Sequence, residues 1–319
     1  MKVFKRMLAA MCALAIVLSM GACSETQTDE VETDQSETES DTRQTVVPNN
    51  KVEKPSLPYT FSEPPKPEGE VVDNIKVMTY NLQGGKPDGR TLTARSSMHA
   101  AKINLVDPDL VLLCEARNFD RRDQDLNVGV LTAKCDVKYE ILQFPAVRST
   151  NVILYSNEKF ECISSEAISL AEGGDEYSRS AAIAVLRLRQ SGEEIVAVAT
   201  HLDLNMFAAE VQVREIMDHL AEKYSEYDTQ IIGGDLNFES FEATLLGSPN
   251  TIHENGLIAG GYYSANIDRD RTFTHKTKII DYIYFRGAYP ENYRVVTDVV
   301  GDYEPSDHYP VYTELRIYG

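Results

Sequence analysis

Three things are scarce in this 319-residue chain: paired cysteines, clustered positive charge and, between Ser24 and Thr42, any aromatic residue. The five cysteines include no C-x-x-C spacing, which argues against a zinc site. No basic stripe is present to neutralise a nucleic-acid backbone, so tight, salt-driven DNA binding is disfavoured and no stable nucleic-acid partner is expected. The net charge of −19 is unevenly shared: residues 1–70 hold 12 of the 50 acidic and 7 of the 31 basic side chains, leaving 38 against 24, a balance of −14, for 71–319. The stretch 24–42 is almost wholly Ser, Thr, Glu, Asp and Gln with a single Val, too little apolar surface to offset the entropy of ordering.

The N-terminus carries Lys2, Lys5 and Arg6 ahead of an apolar segment, 7–22, that ends in small residues before Cys23. Basic residues, a short apolar core and a small-residue end form a secretory signal, shorter than the ~20 residues that span a bilayer. The residues before Cys23 resemble a bacterial lipobox, with Met20 where Leu is more usual. That resemblance implies a signal peptide over 1–22, lipidation of Cys23 and a protein held at the extracytoplasmic face of the cell membrane. Residues 23–70 then read as a tether, acidic at first and stiffened later by Pro55, Pro58, Pro64, Pro65 and Pro67. With Cys12 in the signal and Cys23 in the anchor, Cys114, Cys135 and Cys162 remain, an odd number. Cys114 reads as a buried hydrophobe, and a Cys135–Cys162 bridge is left open.

From residue 71 the pattern becomes that of a packed domain. Strands are expected at 75–80, 110–114, 152–155, 181–188, 195–200, 231–234, 279–285, 295–300 and 311–318. Helical spacing covers 92–106, with Met98, Ile103 and Val106 for one face, and recurs in Val213, Ile216, Met217, Leu220 and Tyr224. No internal repeat is visible. Polar residues recur at the ends of the apolar runs: Asn81, Glu115, His201, then Asp235 and Asn237 after two glycines, and Asp307-His308 before the last run. Asp281 lies within a strand, on a face it shares with Ile279, Ile283 and Phe285, where a carboxylate needs a partner.

In that order and spacing, Tyr80-Asn81, Glu115, Thr200-His201-Leu202, Gly234-Asp235-Leu236-Asn237, Asp281-Tyr282 and Ser306-Asp307-His308 resemble the endonuclease/exonuclease/phosphatase superfamily. It includes DNase-type nucleases, abasic-site endonucleases, inositol polyphosphate 5-phosphatases and secreted sphingomyelinases. The resemblance covers 71–319 and implies an α/β fold, a four-layer α/β/β/α sandwich of two mixed β-sheets with its site at one sheet edge.

It also implies a monomeric phosphoesterase acting on a phosphate-ester substrate, with Mg²⁺ or Mn²⁺ held by Glu115, Asn81 and Asp307. Acidity does not oppose such a substrate, because a bound cation's own charge dominates its site. Asp235 is suited to orienting or deprotonating water, Asn237 to holding a phosphoryl oxygen, and His308 to stabilising the transition state with Asp281 fixing its ring. His201 matches a second histidine of the DNase and sphingomyelinase branches, and Arg179 is expected either to contact phosphate or to lie on the surface. Two departures leave the substrate open: Asp281 is followed by Tyr282, not by the Arg of the 5-phosphatases, and Gln83 stands where the abasic endonucleases have an acid. The competing reading is a non-catalytic binding lipoprotein that uses the same sandwich as a scaffold.

Overall fold

The computed structural model describes residues 63–85, 87–116, 128–173, 178–239, 252–265, 272–273 and 278–319. The signal, Cys23 and most of the tether lie outside these residues.

Among the described residues, twelve strands form two six-stranded sheets. The first comprises β1 (Val71–Asn81), β2 (Leu110–Cys114), β3 (Tyr139–Leu142), β4 (Val152–Ser156), β11 (Ala288–Val295) and β12 (Val311–Tyr318), in the order β11-β12-β1-β2-β4-β3. The second comprises β5 (Phe160–Ser169), β6 (Ser180–Leu188), β7 (Glu194–His201), β8 (Thr229–Asp235), β9 (Tyr263–Ser264) and β10 (Asp281–Arg286), in the order β5-β6-β7-β8-β10-β9. Each sheet contains one parallel pair, β1 with β2 and β7 with β8, and is otherwise antiparallel. A parallel pair needs a long crossover. Here α1 (Leu92–Asn104) joins β1 to β2, and α3 (Met206–Lys223) joins β7 to β8. The short α2 (Val128–Thr132) packs beside α1.

Three apolar layers hold the sandwich. Between the sheets lie Ile75, Val77, Leu112, Ala197, Ile231, Ile283 and Phe285. Outside the first sheet Ala100 and Ile103 of α1 meet Met78, Tyr80, Val111 and Leu113. Outside the second, Val213, Ile216 and Leu220 of α3 meet Val196, Val198, Ile232 and Tyr284. Alternating strand residues thus serve two cores at once, and each fully buried aliphatic side chain contributes roughly 1.5–3 kcal/mol. The expected four-layer sandwich of two mixed sheets is the observed fold.

Close approach at the centre explains the two glycines before Asp235. A Cβ on Gly233 would lie 2.6 Å from the Leu112 side chain of the other sheet. At Gly234, with φ of 158°, it would lie 1.8 Å from the Thr200 carbonyl oxygen of β7. Only glycine allows β8 to run this close to both neighbours.

One expected strand is displaced. The segment 295–300 is not a strand; β11 ends at Val295, opposite Val311, where β12 begins. Beyond that register the Val296 N–H still donates to the Pro310 carbonyl at 2.8 Å, but the ladder stops there, Val296 turns into the outer core, and Val299 is exposed. Cys114, Cys135 and Cys162 are all free thiols, so the Cys135–Cys162 bridge is not formed.

Candidate active site

Both parallel pairs end at the same place. Asn81 closes β1 beside Cys114, the last residue of β2, and Glu115 follows it. His201 closes β7 directly opposite Asp235 at the end of β8. The Cys114 thiol donates to the Thr200 carbonyl across the sheets at 3.1 Å, tying the two pairs together just behind these side chains. Two antiparallel strands complete the ring: Asp281 begins β10 opposite Asp235, and Asp307-His308 lead into β12.

Asp235 is the hub. Its Oδ2 accepts from Asn81 Nδ2 at 3.0 Å and lies 3.5 Å from His201 Nε2 and 3.6 Å from His308 Nε2. Its Oδ1 accepts the Asn237 main-chain N–H at 2.9 Å. Asn81 Nδ2 also donates to Glu115 Oε1 at 3.0 Å, and the Gly84 N–H donates to Glu115 Oε2 at 3.0 Å. The Asn81 amide therefore turns its nitrogen, not its oxygen, toward the carboxylates, while its Oδ1 accepts the Gln83 N–H at 2.9 Å. Asn237 uses Nδ2 to hold the Leu202 carbonyl at 2.8 Å, which leaves its second amide hydrogen for another acceptor.

His308 is gripped on every side. Nδ1 bonds Asp281 Oδ2 at 2.8 Å, and the main-chain N–H donates to Ser306 Oγ at 3.1 Å. The edge-on Phe273 ring lies 4.9 Å away. Ser306 Oγ in turn donates to the Asn81 carbonyl at 2.7 Å, joining this loop to the end of β1. Asp281 meets its expected need for a partner: the imidazole takes one oxygen, and Thr272 Oγ1 accepts its main-chain N–H at 3.1 Å. Asp281 Oδ1 is buried with no hydrogen-bond partner among the described residues.

The electrostatics follow from this crowding. Burial disfavours a charged His308, but Asp281 and Asp235 outweigh it and push the imidazole up to about 10. At neutral pH His308 is an imidazolium. Burial pushes the Asp235 carboxyl above the usual carboxylate range, against the pull of His308 and His201. The backbone is strained at the same spot: Glu115 (φ 49°), Asn237 (φ 61°) and Gln83 (φ 52°) all occupy the left-handed region, which costs a non-glycine residue roughly 1–2 kcal/mol.

The donor set suits a hard cation. Glu115 and Asp307 are the two solvent-reaching carboxylates, 36% and 21% exposed, and Asp307 Oδ1 lies 4.0 Å from His308 Nε2. Asp235, Asp281 and His308 also offer three ligand atoms within 4.8 Å of one another, though Asp281 and His308 already bind each other. The neighbouring soft donor, Cys114, is fully buried, and burial pushes its thiol well up. Oxygen donors without thiolate favour Mg²⁺ or Mn²⁺ over zinc.

Of the residues expected from the sequence, Asn81, Glu115, His201, Asp235, Asp281 and His308 form one contact network, with Asn237 and Asp307 at its rim. Arg179 is buried and not on the surface, its Nε 3.8 Å from Asp203 Oδ2, two residues beyond His201. Ser306, Thr272 and Arg95 were not foreseen as supports. Ser306 stood in the open, since a serine two residues before the histidine can accept its N–H in a local turn. Arg95 carried no such signal.

A family model for the endonuclease/exonuclease/phosphatase family matches residues 78–308. No curated protein sequence matches the chain. Among solved structures, a conserved protein of unknown function from Enterococcus faecalis is 20% identical with a TM-score of 0.62, covering 76% of this chain and 99% of its own. An endonuclease/exonuclease/phosphatase family protein from Bacteroides thetaiotaomicron is 18% identical with a TM-score of 0.62, over 77% of this chain and 98% of its own. A mannosyl-6-phosphatase from the same species is 17% identical with a TM-score of 0.60, over 76% and 99%. With the family model spanning every site residue from Asn81 to His308, the chain belongs to the endonuclease/exonuclease/phosphatase family.

Proposed function

We propose that the protein is a metal-dependent phosphoesterase that hydrolyses a phosphomonoester or phosphodiester outside the cytoplasm. The observation that carries this reading is the position of Asp235, within 3.6 Å of both His201 and His308 and bonded to the Asn81 that holds Glu115. Burial raises the proton affinity of the Asp235 carboxylate, which suits it to orient and deprotonate the attacking water. His308, kept cationic by Asp281, donates through Nε2 to a phosphoryl oxygen and stabilises the charge that develops there. His201 and the spare amide hydrogen of Asn237 face the same oxygens. Glu115 and Asp307 would hold a Mg²⁺ or Mn²⁺ ion, which supplies polarisation of the phosphoryl group when bound, while Asn81, its amide nitrogen on Glu115 and Asp235, orients the carboxylates instead of ligating the ion. Arg179, buried with its Nε 3.8 Å from Asp203 Oδ2 behind His201, is the candidate for a further phosphate contact.

The substrate is a phosphate ester of small size or of a head group, since the −14 balance over 71–319 gives a long polyanion little to grip. The similar fold of a mannosyl-6-phosphatase is in keeping with a small ester. Cys23 is the membrane anchor of this monomer, and Cys23→Ala should release it to the medium; a variant that stays with the membrane would sink that part. A panel of phosphate esters with and without chelator tests the activity. Chelation should abolish hydrolysis and Mg²⁺ restore it, and full activity without metal would overturn the reading. His308→Ala should cost on the order of 10²-fold or more in kcat. Asp281→Asn should cost much of the same, and the double variant little more than His308→Ala.

A further inference from the structure

We infer that Arg95, on the buried face of α1, is a positioning residue that locks the loop after Asn81 to the loop before Asp307, and so holds the two metal-binding carboxylates in register. The inference rests on the phosphoesterase reading of that site. Arg95 is fully buried, yet among the described residues no carboxylate is bonded to it. Apart from His99 Nε2, 3.2 Å from Nη1, its hydrogen-bond partners are main-chain carbonyls. Nη1 donates to Leu82 O at 2.9 Å and to Pro305 O, and Nη2 donates to Gln83 O at 2.5 Å and Gly85 O at 3.0 Å. Three of those carbonyls belong to the turn whose amides hold the site: the Gln83 N–H on Asn81 Oδ1 and the Gly84 N–H on Glu115 Oε2. The fourth immediately precedes Ser306, which accepts from the His308 N–H and donates to the Asn81 carbonyl. One planar guanidinium therefore spans both loops from behind the cleft.

A buried charge is costly unless something nearby stabilises it. Here carbonyl dipoles do so at contact, and Asp307 and Glu115 add attraction from the site itself. The arrangement links the charge of the carboxylates to the geometry of the loops that carry them. Lysine cannot reproduce it, since a single ammonium with three donors does not bridge four carbonyls set out as a planar fork. Arg95 touches neither substrate nor reacting atoms; its effect passes through Glu115 and Asp307.

The test uses Arg95→Lys in the full chain, with Ile103→Val, in the apolar core of the same helix, as the control for stability alone. Mg²⁺ binding is read by titration calorimetry with magnesium chloride, and the Gln83, Gly84 and His308 amides by hydrogen exchange. Arg95→Lys should weaken Mg²⁺ binding about 10- to 100-fold, as loss of a support behind metal ligands does. It should also speed exchange at all three amides, while Ile103→Val changes neither. Unchanged affinity and exchange in folded Arg95→Lys would overturn the inference, as would an equal loss in Ile103→Val. A wild-type chain that binds Mg²⁺ but cleaves no phosphate ester fails the proposed function and leaves this inference to be judged on affinity and exchange. If wild type binds no Mg²⁺, exchange alone decides. Should Arg95→Lys not fold, native-state exchange of the wild type decides: the three amides must open together with one free energy, and independent opening refutes the lock.

Discussion

Helices α1 and α3 have the same topological job and do it with opposite materials. Each is the crossover of a parallel pair, and each covers the outside of its own sheet. The inward face of α3 is Ala209, Val213, Ile216 and Leu220, with Gln212 as its one buried polar residue. The inward face of α1 carries Arg95, His99 and Lys102 at helical spacing, all fully buried, beside Ala100 and Ile103. Lys102 bonds the Asp298 carbonyl and lies 3.0 Å from Glu304 Oε2, with its ammonium 5.4 Å from the Tyr309 ring centre. The α1 cations thus hold down the 298–309 segment that delivers Asp307 and His308, whereas α3 packs through apolar residues and adds a polar clasp, Gln212, which accepts the Asp203 N–H at 2.9 Å and donates to the Ala171 carbonyl at 2.7 Å. Apolar contact fixes a helix on a sheet; directional contacts to carbonyls fix loops that have no regular partner of their own.

The sharpest way to break this contrast is a cavity under α3. Ile216→Ala should cost roughly 2–5 kcal/mol of stability, measured by denaturant unfolding, because the site is closely packed and collapses only partly. Mg²⁺ affinity and kcat of the folded variant should be unchanged. If they fall together with stability, α3 is also a functional support and the contrast is wrong.

What the sequence revealed follows the same division. All eight inner strands, and six residues of one polar network, could be read because each lies in or beside an apolar run. The four sheet edges are β11, β3, β5 and β9, and none was expected in its observed place. Edge strands face solvent, and natural ones carry charge, proline or short length as protection against pairing. Accordingly β5 reads FECISSEAIS, β11 contains Pro290, and β9 has two residues. The buried face of α1 was missed for the mirror reason. Arg, His and Lys at that spacing look like a solvated face, and it takes the end of β1, the 82–85 loop and the distant 298–309 segment together to make them interior.

Acid sharpens the comparison next. Each flank buries a histidine in neutral form: His99 under α1, and His253 in the segment packed against α3. Burial, then Arg95 and Lys102, hold His99 well below its usual value. Its Nε2 lies 3.2 Å from Arg95 Nη1 and its Nδ1 3.0 Å from the Tyr80 hydroxyl oxygen. Burial likewise lowers His253 to about 4, although its bond to the Phe238 carbonyl works against this. Because the folded value is depressed, this stability is fully present above the unfolded pKa near 6.5. It declines as pH falls from there toward the folded value. For His253 the window is pH 6.5 to about 4, worth about 3 kcal/mol. Urea unfolding across that range should show the slope, and His253→Asn should flatten it without touching Mg²⁺ affinity. His99→Gln should flatten it too but also weaken Mg²⁺ binding, since it removes a contact of Arg95. A His253 variant that loses metal affinity as readily would erase the distinction.

The smallest effect gives the cleanest contrast, because the same loss can be made at the start of each helix. Thr91 caps α1, its Oγ1 accepting the Ala94 N–H at 3.1 Å. Asn205 caps α3, its Oδ1 accepting the Phe207 and Ala208 N–H groups at 3.0 and 3.3 Å. Alanine at either cap leaves first-turn amides to solvent and costs about 1 kcal/mol, so both variants should lose similar stability. Their functional outcomes should differ. The first turn of α1 includes the Arg95 N–H bonded to the Thr91 carbonyl, so fraying there loosens the guanidinium that spans the two loops. Thr91→Ala should therefore weaken Mg²⁺ binding, by no more than about fivefold, the equivalent of ~1 kcal/mol. In α3 the first turn carries Phe207, which is exposed, and Ala209, which packs on the outer core. Neither bonds a site loop, and Asn205→Ala should leave Mg²⁺ binding as it was. Equal stability losses with unequal metal affinities would establish that α1 transmits to the site what α3 does not. Equal shifts in both quantities would mean that the two crossovers serve the cleft alike, and that the buried cations of α1 are packing and nothing more.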